Sequence, residues 1–331
     1  MKAPLITPVN LLISAMTVLL SGSLQGAERT ADEIADIYRT AAALAAGTEH
    51  ESLRGVVCPA SPRIPPEPAT GNNATGQART IPPLADWYRE PARVFDELYF
   101  VGTDDHSSWA IVSDEGIILL DTLYDYATGD AIVGGLQKLG LDPGDIEVVI
   151  ISHGHGDHHG GAKYLQDEFG ARIVMGAADW DTVAQDQRNP IPRRDIEATD
   201  GMRFDLGNAS ITLYHTPGHT DGTMSSIVTV HDNGEEHTVA YWGGTSIRPT
   251  TPTDNVKLYI DSAVRFRNIA RQANADVLLA NHLIFDGSRE KLPVLAARGA
   301  GDPHPYVVGF DVISRYLTVA ENCARAEMAY R

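Results

Sequence analysis

The sequence predicts an α/β fold in which two β-sheets pack face to face with helices on the outside. Three observations predict it. Short runs rich in β-branched and aromatic residues begin near Val94 and recur to Ala280. Segments with helical apolar spacing interrupt those runs rather than following them as a block. The chain has 331 residues, 43% hydrophobic and 21% charged, which is enough apolar material for a large core.

Taken in order, residues 1–27 read as an export signal. Lys2 is the one charge before the apolar stretch 11–20, and small residues at Ser21-Gly22-Ser23 and Gly26-Ala27 offer a cleavage point near Ala27. The apolar run is too short to span a bilayer comfortably, so the mature chain is expected in the periplasm or secreted, off the membrane. Residues 28–93 read as an N-terminal extension. Thr30-Ala31-Asp32-Glu33 has the capping-box spacing, and Ile34, Ile37, Ala41 and Leu44 predict a helix to about Ala46. Seven prolines in 59–83 then predict an extended connector.

The core is expected over 94–290. Strands are predicted at 98–101, 109–112, 116–121, 146–151, 172–175, 210–215, 225–230, 238–242 and 276–280, with Asp114-Glu115-Gly116 turning between the second and third. Helices are predicted at 131–139, 162–169 and 259–273. The remaining segment, 291–331, reads as a helical extension on the same domain, with an amphipathic helix over 312–328. Cys58 and Cys323 stand in the two terminal segments, and export favours a disulfide between them. Neither lies near the histidine motifs.

Charge narrows the partners. Twenty-six basic residues against 44 acidic give −18, which argues against nucleic acid, since phosphate binding needs a cationic surface. A small-molecule substrate is the expected partner. The oligomeric state is left open.

The most informative stretch is Ser152-His153-Gly154-His155-Gly156-Asp157-His158-His159-Gly160-Gly161, directly after the apolar run Val148-Val149-Ile150-Ile151. Neutral imidazoles and a carboxylate at the spacing H-x-H-x-D-H suit a zinc ion. Two more histidines lie in strand-end loops, His219 in His215-Thr216-Pro217-Gly218-His219 and His282 in Ala280-Asn281-His282. Either alone reads as an ordinary surface residue.

Together these motifs resemble the metallo-β-lactamase superfamily. The resemblance implies an αβ/βα sandwich with the metals at one edge between the sheets. It implies two Zn2+ ions, one held by His153, His155 and His219 and the other by Asp157, His158 and His282. Iron-binding members usually carry glutamate where this chain has His155, so zinc is favoured. Many hydrolases of the superfamily carry a bridging aspartate after the strand that here ends in Trp242. This chain continues Gly243-Gly244-Thr245-Ser246, without carboxylate or cysteine. That departure makes it most like subclass B3.

The resemblance implies hydrolysis by a zinc-bound hydroxide oriented by Asp157, with the β-lactam amide as the expected substrate. The alternative within the same fold is a non-antibiotic ester, lactone or amide, because one fold hosts many chemistries. A zinc-binding protein without turnover would be expected to have lost a ligand, and all six positions are filled. Ser246, Thr245, His106 and Trp109 are weaker candidates for substrate contact, with core packing the plainer reading of Trp109. His159 and His215 read as packing or supporting residues. His304 and Tyr306 are further candidates for reaching substrate from the C-terminal segment.

Overall fold

The computed structural model describes residues 29–58, 81–247 and 250–331. The expected export signal and almost all of the proline-rich connector lie outside the described residues. Among those described, no helix is long and apolar enough to cross a membrane.

The chain begins with helix α1 (Ala31–Ala46), whose capping box forms as the spacing predicts: the Thr30 hydroxyl accepts from the Glu33 amide and Glu33 accepts from the Thr30 amide. A short helix α2 (Glu51–Val57) follows. Strands β1 (Ala92–Arg93), β2 (Leu98–Phe100), β3 (Trp109–Ser113) and β4 (Gly116–Leu120) form an antiparallel meander. The β3–β4 turn is the predicted one, with Ser113 opposite Gly116. Next come α3 (Asp125–Ala127), a π-helical stretch Thr128–Val133 and α4 (Gly134–Lys138). Strand β5 (Ile146–Ile150) then enters parallel to β4.

After β5 come α5 (Gly156–His159), α6 (Ala162–Phe169), β6 (Arg172–Gly176), α7 (Ala177–Val183) and β7 (Ile196–Ala198). These complete a seven-stranded sheet in the order β1-β2-β3-β4-β5-β6-β7. The second sheet is built from β8 (Arg203–Leu206), β9 (Ala209–His215), β10 (Met224–Asp232), β11 (Glu235–Trp242) and β12 (Val277–Ala280), in the order β12-β11-β10-β9-β8. Helix α8 (Thr253–Gln272) crosses from β11 to β12, which makes that pair parallel. Helices α9 (Leu283–Asp286), α10 (Ser288–Ala296) and α11 (Phe310–Met328) close the chain.

Burial sorts into three layers, as an αβ/βα sandwich requires. Between the sheets lie Phe100, Trp109, Ile118 and Val148 from one and Ile211, Val228, Tyr241 and Leu279 from the other. The outer face of the first sheet packs Leu119, Val149 and Ile173 against Leu136, Leu165 and Trp180. The outer face of the second packs Trp242 and Leu278 against α1, α8 and α11 through Ala42, Phe266 and Tyr316. The expected disulfide is present: Cys58 is joined to Cys323, tying the residue after α2 to the middle of α11.

Three differences from the sequence reading have plain causes. Helix α8 starts at Thr253, not 259, because Pro252 is an acceptable residue just ahead of a helix while reading as a breaker. Pro293 similarly hid α10. The strand predicted to end at Asp121 stops at Leu120, since Asp121 takes a left-handed conformation at φ 61°.

Candidate metal centre

Five chain segments end at one edge of the sandwich. The loop after β5 carries His153 to His158, the loop between β9 and β10 carries His219, and the residues after β12 carry His282. Asp121 follows β4 and Gly243-Gly244 follow β11. The β9–β10 loop can fold this tightly because Gly218 sits at φ +133°, where a Cβ would lie 2.4 Å from the Tyr259 amide nitrogen.

His153, His155 and His219 form the first cluster. The Nδ1 of His153 donates to the Gly243 carbonyl at 2.8 Å, and Asn281 Nδ2 donates to the same oxygen at 2.8 Å. The Nδ1 of His219 donates to the Ser246 carbonyl. A neutral imidazole that donates from Nδ1 carries a lone pair on Nε2. The Nε2 atoms of His153 and His219 nonetheless face each other at 3.0 Å, and His155 Nδ1 lies 3.0 Å from His219 Nε2. The Nε2 lone pairs of His153 and His219 repel at that distance unless a cation lies between them. Burial, with the neighbouring histidines His158 and His219, also holds His153 well below the usual imidazole pKa, keeping it in the ligating form.

Asp157, His158 and His282 form the second cluster. His158 is fully buried; its Nδ1 donates to Asp121 Oδ2 at 2.9 Å, while its Nε2 has no hydrogen-bond partner and points at Asp157 Oδ2 from 3.4 Å. His282 Nε2 lies 3.8 Å from the same oxygen. Burial opposes a positive charge on His158, but Asp157 and Asp121 outweigh it and push its pKa up to about 10. Burial likewise opposes charge on Asp157, yet His158 and His106 hold its carboxyl far below the usual range. The pocket between two carboxylates therefore favours positive charge, which a divalent cation would supply. The donor set of both clusters, five imidazoles and one carboxylate, fits zinc.

Asp121 is the main residue the sequence reading missed. It is fully buried and accepts from the Ser152 amide (2.7 Å), the Ser152 hydroxyl (2.8 Å), Tyr241 (2.9 Å) and His158. It orients the ring of His158 as carboxylates behind metal-bound histidines do. A carboxylate ending an apolar strand was the available signal. Asp179 was missed too: its carboxylate accepts from the Gly154 amide, Thr220 and the Gly222 amide, pinning the first histidine loop to the His219 loop.

The weaker candidates divide. His106 stands at the second cluster, its Nε2 3.3 Å from Asp157 Oδ2. Ser246 touches the centre through its carbonyl, which holds His219. Trp109 does not reach the site: it is fully buried between Phe100 and Tyr306, donating to the Ala280 carbonyl at 3.4 Å. Thr245 is also corrected. Its hydroxyl pairs with that of Tyr316 at 3.1 Å and its carbonyl accepts from Tyr259, so it braces its loop from the buried side. His304 stacks on Phe95 with a ring nitrogen on the Val94 carbonyl, and Tyr306 is closed to solvent. His159 is buried 3.3 Å from Asp186, and the exposed His215 pairs with the Asp221 carbonyl.

Comparison with known proteins follows the same lines. A family model described as the metallo-beta-lactamase superfamily matches residues 101–232. A solved subclass B3 metallo-β-lactamase of Bradyrhizobium japonicum is 28% identical, with a TM-score of 0.62 over 71% of this chain and 92% of its own. The native metallo-β-lactamase of Legionella gormanii shares the fold at a TM-score of 0.62 and 24% identity, covering 70% of this chain and 92% of its own. Among curated sequences, a hydroxyacylglutathione hydrolase of Acidiphilium cryptum is 30% identical over 121 residues, 37% of this chain and 44% of that protein. The chain thus spans less than half the length of the curated relatives it matches first.

Proposed function

We propose that the chain, which a metallo-β-lactamase superfamily model matches over residues 101–232, is a dinuclear zinc hydrolase of subclass B3-like type that opens the amide of a β-lactam. The observation that carries the reading is the pair of adjacent clusters with no carboxylate bridging them among the described residues. Gly244, in the loop where a bridging carboxylate would be sought, has no room for one: a Cβ there would lie 2.6 Å from the Cβ of His219.

When bound, zinc would supply Lewis acidity to polarise the scissile carbonyl and would make a water acidic enough to attack at neutral pH. His153, His155 and His219 would hold one ion, and Asp157, His158 and His282 the other. Asp157 accepts a hydrogen bond from the attacking water and fixes its direction. Asp121 keeps the Nδ1 proton of His158 in place, so that Nε2 always faces the centre. Water adds to the carbonyl carbon, the carbon–nitrogen bond breaks, and the departing nitrogen takes up a proton.

The disulfide between Cys58 and Cys323 supports export to an oxidising compartment, periplasmic or external, in keeping with the signal-like residues 1–27. The test of the function is hydrolysis of carbapenems and cephalosporins by the purified mature protein with zinc. Chelation is expected to abolish turnover and added zinc to restore it. A protein holding two zinc ions without β-lactam turnover would favour the second reading, another ester, lactone or amide, toward which the curated hydroxyacylglutathione hydrolases point.

A further inference from the structure

We propose that His106 is a fourth protein ligand of the second cluster, closing that site while the three-histidine site keeps an open position. This inference rests on the reading of Asp157, His158 and His282 as a cation site. It departs from the three-ligand set that the sequence resemblance implies.

The proposal stands on convergence at one atom. Three imidazole Nε2 nitrogens surround Asp157 Oδ2: His106 at 3.3 Å, His158 at 3.4 Å and His282 at 3.8 Å. The rings of His106 and His282 are 4.8 Å apart between centroids, and those of His106 and His158 6.2 Å. One carboxylate oxygen facing three imidazole nitrogens supplies the donor types of a four-ligand zinc site.

The position of His106 is fixed by backbone. Its amide donates to Thr103 Oγ1 at 2.9 Å and its carbonyl accepts from the Thr103 amide at 2.8 Å, which closes a small turn. The two residues beside it bind the segment that carries His282. The Ser107 amide donates to the Asn281 carbonyl at 3.0 Å, and the Leu283 amide to the Asp105 carbonyl at 3.2 Å. His106 and His282 are directly opposed across this short bridge, so the two rings are delivered to the centre as a pair. The ring of His106 also packs edge-on against Tyr124, with 15% of its side chain exposed. Asp105 has a ligating atom near His106 and His282 but is 64% exposed and faces Arg289 at 3.8 Å, so it is left out of the set.

A closed four-ligand site binds its ion more tightly and offers no vacancy to substrate, whereas a three-ligand site takes water or substrate in the fourth position. The second ion would then act mainly as a fixed positive charge, and the chemistry would centre on His153, His155 and His219.

The test is stepwise cobalt(II) titration of metal-free wild type and His106→Ala, each binding step followed by chelator competition and by the visible spectrum. Metal-free melting temperatures show whether the variant folds. If the variant melts early, His106→Gln replaces it. Expected for the variant is an unchanged first site and a second site weakened at least as much as the roughly 10–100-fold that losing an outer partner costs. The spectrum of the second binding step changes with it. Equal affinity and an identical second spectrum would overturn the proposal. So would weaker binding with an unchanged spectrum, which would make His106 a positioning residue for Asp157. A wild type that binds one ion or none would overturn the underlying two-site reading instead.

Discussion

The two clusters stand side by side but lean on different parts of the molecule. The three-histidine cluster is built of imidazoles alone and is aimed by carbonyls of the 243–246 loop, which Tyr259 and Tyr316 brace from α8 and α11. The second cluster carries a carboxylate of its own and is aimed by a second one, Asp121, at the end of a central strand. One depends on the helical periphery for its shape, the other on buried charge. Damage to the terminal helices and damage to core electrostatics should therefore separate the two sites.

The largest effect should come from Asp157→Ala. It removes both a ligand and the acceptor for the attacking water, and kcat/KM should fall by about 10²–10⁴-fold in steady-state assays while far-UV circular dichroism stays unchanged. An active variant would remove Asp157 from the chemistry. Next is Cys323→Ser, which should lower unfolding stability by about 2–4 kcal/mol in denaturant melts. It should also weaken metal binding at the three-histidine cluster more than at the second. Equal weakening would erase the comparison.

Asp121→Asn should act in the opposite sense, costing the second cluster about 10–100-fold in zinc affinity and leaving the first nearly untouched. The same residue sets a pH dependence. His158 has its pKa raised from 6.5 to about 10 in the metal-free fold, so its protonated form stabilises that fold fully below about 6.5. That stability is lost as pH rises through about 10. Melting temperatures of the metal-free protein should fall across this window, and less so in Asp121→Asn. The smallest effect is expected of Thr245→Val, about 1 kcal/mol from the lost Tyr316 hydrogen bond, with KM unchanged. A large rise in KM would return Thr245 to the substrate.

Much of this was legible in the chain. The H-x-H-x-D-H run and two strand-end histidines named the six residues that the fold gathers, because ligands cluster in sequence when one strand-end turn supplies most of them. Most strands and the two-sheet arrangement followed from the apolar runs, while the order of strands within each sheet did not. What stayed hidden depends on distances between remote segments. Asp121 reads as one more strand residue until His158, Ser152 and Tyr241 converge on it. Thr245 sits in a loop position that suggested substrate, and only the pairing of its hydroxyl with Tyr316 shows that it faces inward, whereas core packing was already the plainer reading of Trp109. His106 could be named from its loop, but its approach to Asp157 rests on pairing with a segment 176 positions away, at His282.

The Cys58–Cys323 bond also has a mechanical consequence. It closes a covalent ring spanning 265 positions, and every residue of both clusters lies inside that ring. Tension applied through α1 and the end of α11 would run across the sulfur bridge and bypass the sandwich. Stretched in a force spectrometer, the oxidised protein should lengthen only by what lies outside the bridge, with its metal centre carrying no load; reduced, it should yield the full length of the sandwich.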